Sequence, residues 1–159
     1  VRPAWALLAL AVLLSVATSD ARAQRRSGGG GVLAGPIEVG LRGGRDFENH
    51  AWTLGGQVRV PLKRTLELRP SGDLLFPEDA GMGWQANADA AILFGSGSVY
   101  AGGGAAWLHP DGGDIDTGYN LFFGIQSITG RYKPFLEFRW TFINDTSPFR
   151  LMLGFSMAL

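Results

Sequence analysis

Two histidines, His50 and His109, are the residues of this sequence whose type most often serves as a general acid or base. Beside a serine and a carboxylate, either could act as the base of an acyl-transfer or lipid-hydrolysing site, so both are catalytic candidates. Their partners are thin: Pro110 and Asp111 follow His109 with no serine beside them, and Ser147 lies far along the chain. A second candidate is the run containing Asp111, Asp114 and Asp116, whose oxygens suit calcium or magnesium. It lacks the spacing and terminal glutamate of a calcium loop, so no firm metal site is assigned. Gly102-Gly103-Gly104 is no phosphate cradle, because no helix follows it. Without cysteine there are no thiolate ligands and no disulfides. The basic residues are scattered and the net charge is zero, which excludes a nucleic-acid surface. The expectation is a protein without catalysis and without a cofactor.

The remaining charged residues are the more informative set, because they recur in a period of two. Glu38 and Arg42 alternate with Ile37, Val39 and Leu41; Arg59 alternates with Val58 and Val60; Glu67, Arg69 and Asp73 oppose Leu66, Leu68 and Leu74. Asp89 opposes Trp84, Ala88 and Ile92, and Lys133, Glu137 and Arg139 oppose Tyr132, Leu136, Phe138 and Trp140. In the final stretch Arg150 opposes Phe149, Leu151, Leu153, Phe155, Met157 and Leu159. Alternation of this kind is the signature of β-strands with one apolar and one polar face. Strand six repeats it with Tyr119, Leu121, Phe123 and Ile125 against Asn120 and Gln126. Strand five, rich in Gly and Ala, is placed with Val99 and Trp107 on the apolar face.

Short turns at 61–64, 95–97 and 128–131 alternate with longer polar links at 44–50, 76–82, 109–116 and 144–148. The spacing predicts eight strands in consecutive hairpins, each long enough to cross a bilayer when tilted. Ahead of them, Arg2, an apolar run over 4–16 and Ala21-Arg22-Ala23 read as a secretory signal peptide over 1–23, cleaved after Ala23. Residues 24–32, with Arg25, Arg26 and four glycines, read as a flexible leader, and 33–159 as the folding unit.

A strand pattern alone permits either face inward. A soluble barrel would bury the apolar face around a ligand, whereas a membrane barrel turns it to lipid. The aromatics favour lipid. Trp52, Trp84, Trp107 and Trp140 fall beside the longer links, and Phe94, Tyr100 and Tyr132 beside the short turns, as a double interfacial girdle would require. With its alternating strands and apolar closing strand, the chain resembles the small eight-stranded outer-membrane β-barrels, the OmpA/OmpX-like transmembrane domain. The resemblance implies an all-β, antiparallel, up-and-down transmembrane barrel in the outer membrane of a didermic bacterium. It further implies that Gly154, Met157 and Leu159 form the signal read by the barrel-assembly machinery, with Leu159 replacing the usual terminal aromatic.

On this reading Glu38, Arg42, Arg59, Glu67, Arg69, Asp73, Asp89, Lys133, Glu137, Arg139 and Arg150 face the interior. They are expected to plug it as paired charges, because isolated buried charges would be too costly. Interior glycines such as Gly40, Gly55, Gly118, Gly124 and Gly154 would make room or ease curvature. Both termini lie on the periplasmic side and the acidic loops outside, with Asp46 counted among the loop residues. Calcium or magnesium could bridge that rim to lipopolysaccharide. The expected partners are outer-membrane lipids, with the protein a monomer serving structure or surface interaction. The alternatives are a lipid A-modifying enzyme with a rim histidine and a secreted soluble ligand-binding barrel.

Overall fold

The computed structural model describes residues 33–159. The expected signal peptide (1–23) and leader (24–32) lie outside the described residues. Eight strands follow in order: β1 (Glu38–Asp46), β2 (Ala51–Lys63), β3 (Leu66–Pro77), β4 (Gly83–Phe94), β5 (Val99–His109), β6 (Asp116–Gln126), β7 (Tyr132–Phe142) and β8 (Phe149–Ala158). Each pairs antiparallel with the next, and β8 pairs with β1 to close the barrel. Closure removes the sheet edges, so every strand finds backbone partners on both sides, as a strand surrounded by hydrocarbon must.

The alternation decides the faces. Leu41, Leu54, Leu121 and Leu153 all lie on the outer surface and are more than half exposed, while Arg42 on β1, Arg139 on β7 and Arg150 on β8 are fully buried. That is the inverse of a water-soluble core. The soluble-barrel alternative is therefore corrected: the apolar set faces out and the charged set faces in. On β6 to β8 the outer surface is a run of packed rings. Tyr119 stacks on Phe142 at 4.8 Å, Phe123 on Phe138 at 4.9 Å, and Trp140 packs on Phe149 at 5.0 Å.

Two placements differ from the sequence reading. Tyr100 is not a girdle residue; its side chain points inward and is fully buried. Val99 and Trp107 are exposed on the same strand, and a period of two then forces Tyr100 to the other face. Asp46 is not a loop residue: β1 extends through Arg45 and Asp46, which pair with Leu151 and Arg150 of β8. The reason is the closing register, which carries β1 further along β8 than its own hydrophobic pattern suggests. At the far end of β2 the pairing slips between Pro61 and Lys63, where Pro61 has no N–H to give to the ladder.

Candidate functional site

Among the described residues the interior is the one place where charged side chains converge, and alternation along each strand is what delivers them there. With Asp46 included, six basic and six acidic residues face inward. Each of the twelve is ion-paired with at least one opposite charge. Such groups are costly to bury unless paired and hydrogen-bonded, and here both conditions are met for all but one donor of Arg150.

The charges divide into two hydrogen-bonded networks. Nearest the short turns, Arg59 donates to Glu38 at 2.7 Å and to Glu67 at 3.0 Å, and Arg69 donates to the same Glu67 at 2.8 Å. Lys133 also pairs with Glu38, Ser156 donates to Glu38 at 2.8 Å, and Arg69 reaches Gln126 at 2.9 Å.

On the loop side, Arg42 donates to Asp73 at 2.8 Å and to Ser71 at 2.8 Å. Asn87 bonds Asp73 at 3.2 Å, and Asn120 bonds Asn87 at 2.9 Å and Asp89 at 3.0 Å. Arg139 joins Asp89 at 2.7 Å to Glu137 at 2.9 Å. Nearest the loops, Arg150 donates to Asp46 at 2.9 Å and to Gln85 at 2.6 Å, and Gln85 continues to Asn87 at 2.6 Å. Asp46 also accepts the backbone N–H of Asn49 at 2.9 Å, so one carboxylate anchors both an interior arginine and the β1–β2 loop.

Tyr100 stands between the networks. Its hydroxyl donates to Glu137 at 3.1 Å, on the loop side, and the Arg69 guanidinium of the other network lies 3.8 Å over its ring. A buried cation over an aromatic face is attracted to the ring's negative quadrupole. Phe122 packs edge-on to Tyr100 at 6.2 Å and carries Arg139 over its own face at 4.6 Å. The space for this aromatic layer comes from glycines: a Cβ on Gly102 would stand 2.6 Å from the Phe122 ring. A Cβ on Gly124 would stand 2.5 Å from the Tyr100 hydroxyl, and one on Gly154 would stand 2.5 Å from the Phe135 ring.

The sequence reading puts Gln85, Asn120 and Phe122 on the polar face without assigning them to the charge network, and it places Tyr100 and Asp46 elsewhere. Parity against Trp107 was the available signal for Tyr100, and none marked the end of β1 for Asp46.

At the rims the picture is simpler. Trp52, Phe94 and Tyr132 are well exposed on the outer surface, Trp107 is somewhat less so, and Trp84 and Trp140 are partly covered by neighbouring rings. The tail residues Gly154 and Met157 lie in β8, and Leu159 follows it, donating its N–H to Ile37 at 3.0 Å. Arg45 bonds Glu78 at 2.7 Å, and that guanidinium holds the Glu78 carboxyl below the usual carboxylate range.

His50 is an exposed turn residue with φ of 47°. His109 ends β5 with its ring against Trp84 at 5.5 Å and its Nδ1 without a hydrogen-bond partner. A catalytic histidine is oriented by a carboxylate on that nitrogen, and His109 has none. Among the described residues no three acidic or imidazole groups converge into a metal-binding set, so Asp111, Asp114 and Asp116 are not gathered into one.

No protein-family model and no curated protein sequence matches the chain. Solved structures do. The N-terminal β-barrel domain of Pseudomonas aeruginosa OprF superposes with a TM-score of 0.66 at 21% identity, covering 77% of this chain and 96% of that one. Neisserial surface protein A gives 0.55 at 11% identity, over 77% of this chain and 94% of that one. The designed transmembrane barrel TMB2.3 gives 0.55 at 16% identity, over 79% and 94%. The fold is that of a small eight-stranded outer-membrane β-barrel.

Proposed function

We propose that the protein is an integral outer-membrane barrel with a closed interior, serving a structural or surface-interaction role without catalysis. The pairing of all twelve interior charges carries this reading. A water-filled channel leaves charged side chains free for permeating ions, whereas these are committed to one another across the full width of a narrow barrel. The likeness of the fold to outer-membrane barrels supports the location. An even number of strands puts both ends of the barrel on one side, which in this reading is the periplasm, with the acidic loops outside. Outer-membrane lipids and lipopolysaccharide surround the apolar belt, and the assembly machinery engages Gly154, Met157 and Leu159. The unpartnered Nδ1 of His109 and the turn position of His50 argue against a hydrolase.

Planar-bilayer recording of the refolded protein tests the closed interior. The expected trace shows no steady current, and a sustained open-channel conductance would sink the proposal. A lipid A deacylase activity that disappears in both His50→Ala and His109→Ala would overturn the non-catalytic part.

A further inference from the structure

We infer that the short-turn edge of the barrel is a headgroup-binding surface selective for anionic phospholipids; the inference rests on the membrane reading above. Lys63, Arg64 and Arg131 project from the β2–β3 and β6–β7 turns and are exposed. Among the described residues none of the three has a carboxylate partner, and no acidic residue lies on this edge outside the interior network. The opposite rim is the reverse: seven loop and strand-end carboxylates face Arg45, which Glu78 already occupies.

Position relative to the apolar belt is what separates a lipid site from a merely solvated cation. The Arg131 guanidinium lies 5.9 Å from the Tyr132 ring, and Tyr132, exposed on the outer surface, packs edge-on against Phe155 at 6.0 Å. Exposed Ile128 belongs to the same turn. Interfacial aromatics sit at headgroup depth, so Arg131 is held beside the phosphate layer. Arginine offers a planar fork that matches two phosphate oxygens.

The interior does not cancel this field. Its short-turn network sets three cations, Arg59, Arg69 and Lys133, against two carboxylates, Glu38 and Glu67, and Lys133 lies partly exposed. A zwitterionic headgroup brings its own ammonium to such an edge, whereas an anionic one brings net negative charge. The two basic turns lie across the barrel from each other, four strands apart in either direction, so each holds its own lipid. Preference should be about fivefold per engaged cation at low salt.

Native mass spectrometry of the full chain, folded in micelles holding equal phosphatidylglycerol and phosphatidylcholine, tests this. The expected result is retention of phosphatidylglycerol several-fold over phosphatidylcholine, lost in the K63Q/R64Q/R131Q variant and kept in a D114N/D116N variant. R131Q alone should remove about half of the bound phosphatidylglycerol. Equal retention of both lipids by the unaltered chain, or a preference that survives in the triple variant, would overturn the inference and leave the membrane reading standing. Failure of the unaltered chain to fold in the micelles, seen by circular dichroism, would overturn both.

Discussion

The short-turn half of the interior and the loop-side half are both built from buried ion pairs, yet they are wired differently. In the first, carboxylates are shared: Glu67 serves Arg59 and Arg69, and Glu38 serves Arg59 and Lys133. In the second, Glu137 is shared by Arg139 and, at 4.0 Å, by Arg42, but amides and hydroxyls carry the rest of the connection, and among the described residues Arg150 is ion-paired with Asp46 alone while one of its nitrogens has no partner. The first half has more cations than carboxylates, and the second sets Arg42, Arg139 and Arg150 against Asp46, Asp73, Asp89 and Glu137. Each half leans toward the sign of its own rim. Sharing concentrates the consequences of losing one group, whereas an amide-linked chain spreads them.

The comparison is broken most severely at Glu67. Replacing it by Ala leaves Arg59 with Glu38 and Arg69 with only Gln126 and the Tyr100 ring. Removing one partner of a buried pair costs about 3–5 kcal/mol, and the upper end is expected here. Urea unfolding of the refolded barrel measures it. Asp46→Ala should cost less, about 3 kcal/mol, because a single ion pair is lost and Arg150 retains Gln85. The same change should release the β1–β2 loop, since the Asn49 N–H loses its acceptor, and faster proteolysis within 47–50 is the second readout.

Tyr100 sharpens the comparison by separating its two contacts. Tyr100→Phe keeps the ring under Arg69 and removes the bond to Glu137, for an expected loss of about 1 kcal/mol. Tyr100→Ala removes both and leaves a cavity, for about 3–5 kcal/mol by analogy with buried Phe→Ala changes. If the two variants unfold at the same urea concentration, the ring does not join the networks.

The smallest effect is expected at the exposed Arg45 and Glu78 pair. Glu78→Gln should leave the unfolding midpoint at neutral pH unchanged within error. The folded carboxyl is held below the ordinary glutamate value of 4.5, so whatever the pair contributes is present above that value. It is lost as pH falls through the lowered folded value. Titration of Glu78 by NMR should therefore give a midpoint below 4.5, and a midpoint at or above it would show that the pair does not form.

Much of this architecture was readable in the linear chain. The alternation of Glu67, Arg69 and Asp73 with Leu66, Leu68 and Leu74 assigns faces without any knowledge of neighbours, because a strand has only two sides. The same parity argument, carried through from Trp107, reaches Tyr100; its place beside a short turn had suggested the aromatic girdle instead. Asp46 was out of reach. Nothing in Gly43, Gly44 and Arg45 announces a strand, and its extension is decided by the register of β1 against β8.

The sequence by itself determined the number of strands, the places of the turns and, within the strands except at the end of β1, the face that a side chain takes, because these follow from a local period of two. Only the tertiary structure decided which charges meet. Partners such as Arg42 and Asp73, Arg69 and Glu67 through Tyr100 to Glu137, or Arg150 and Asp46 are set by the stagger between neighbouring strands and by closure of the barrel. Those are relations between distant segments, and a local period carries no information about them.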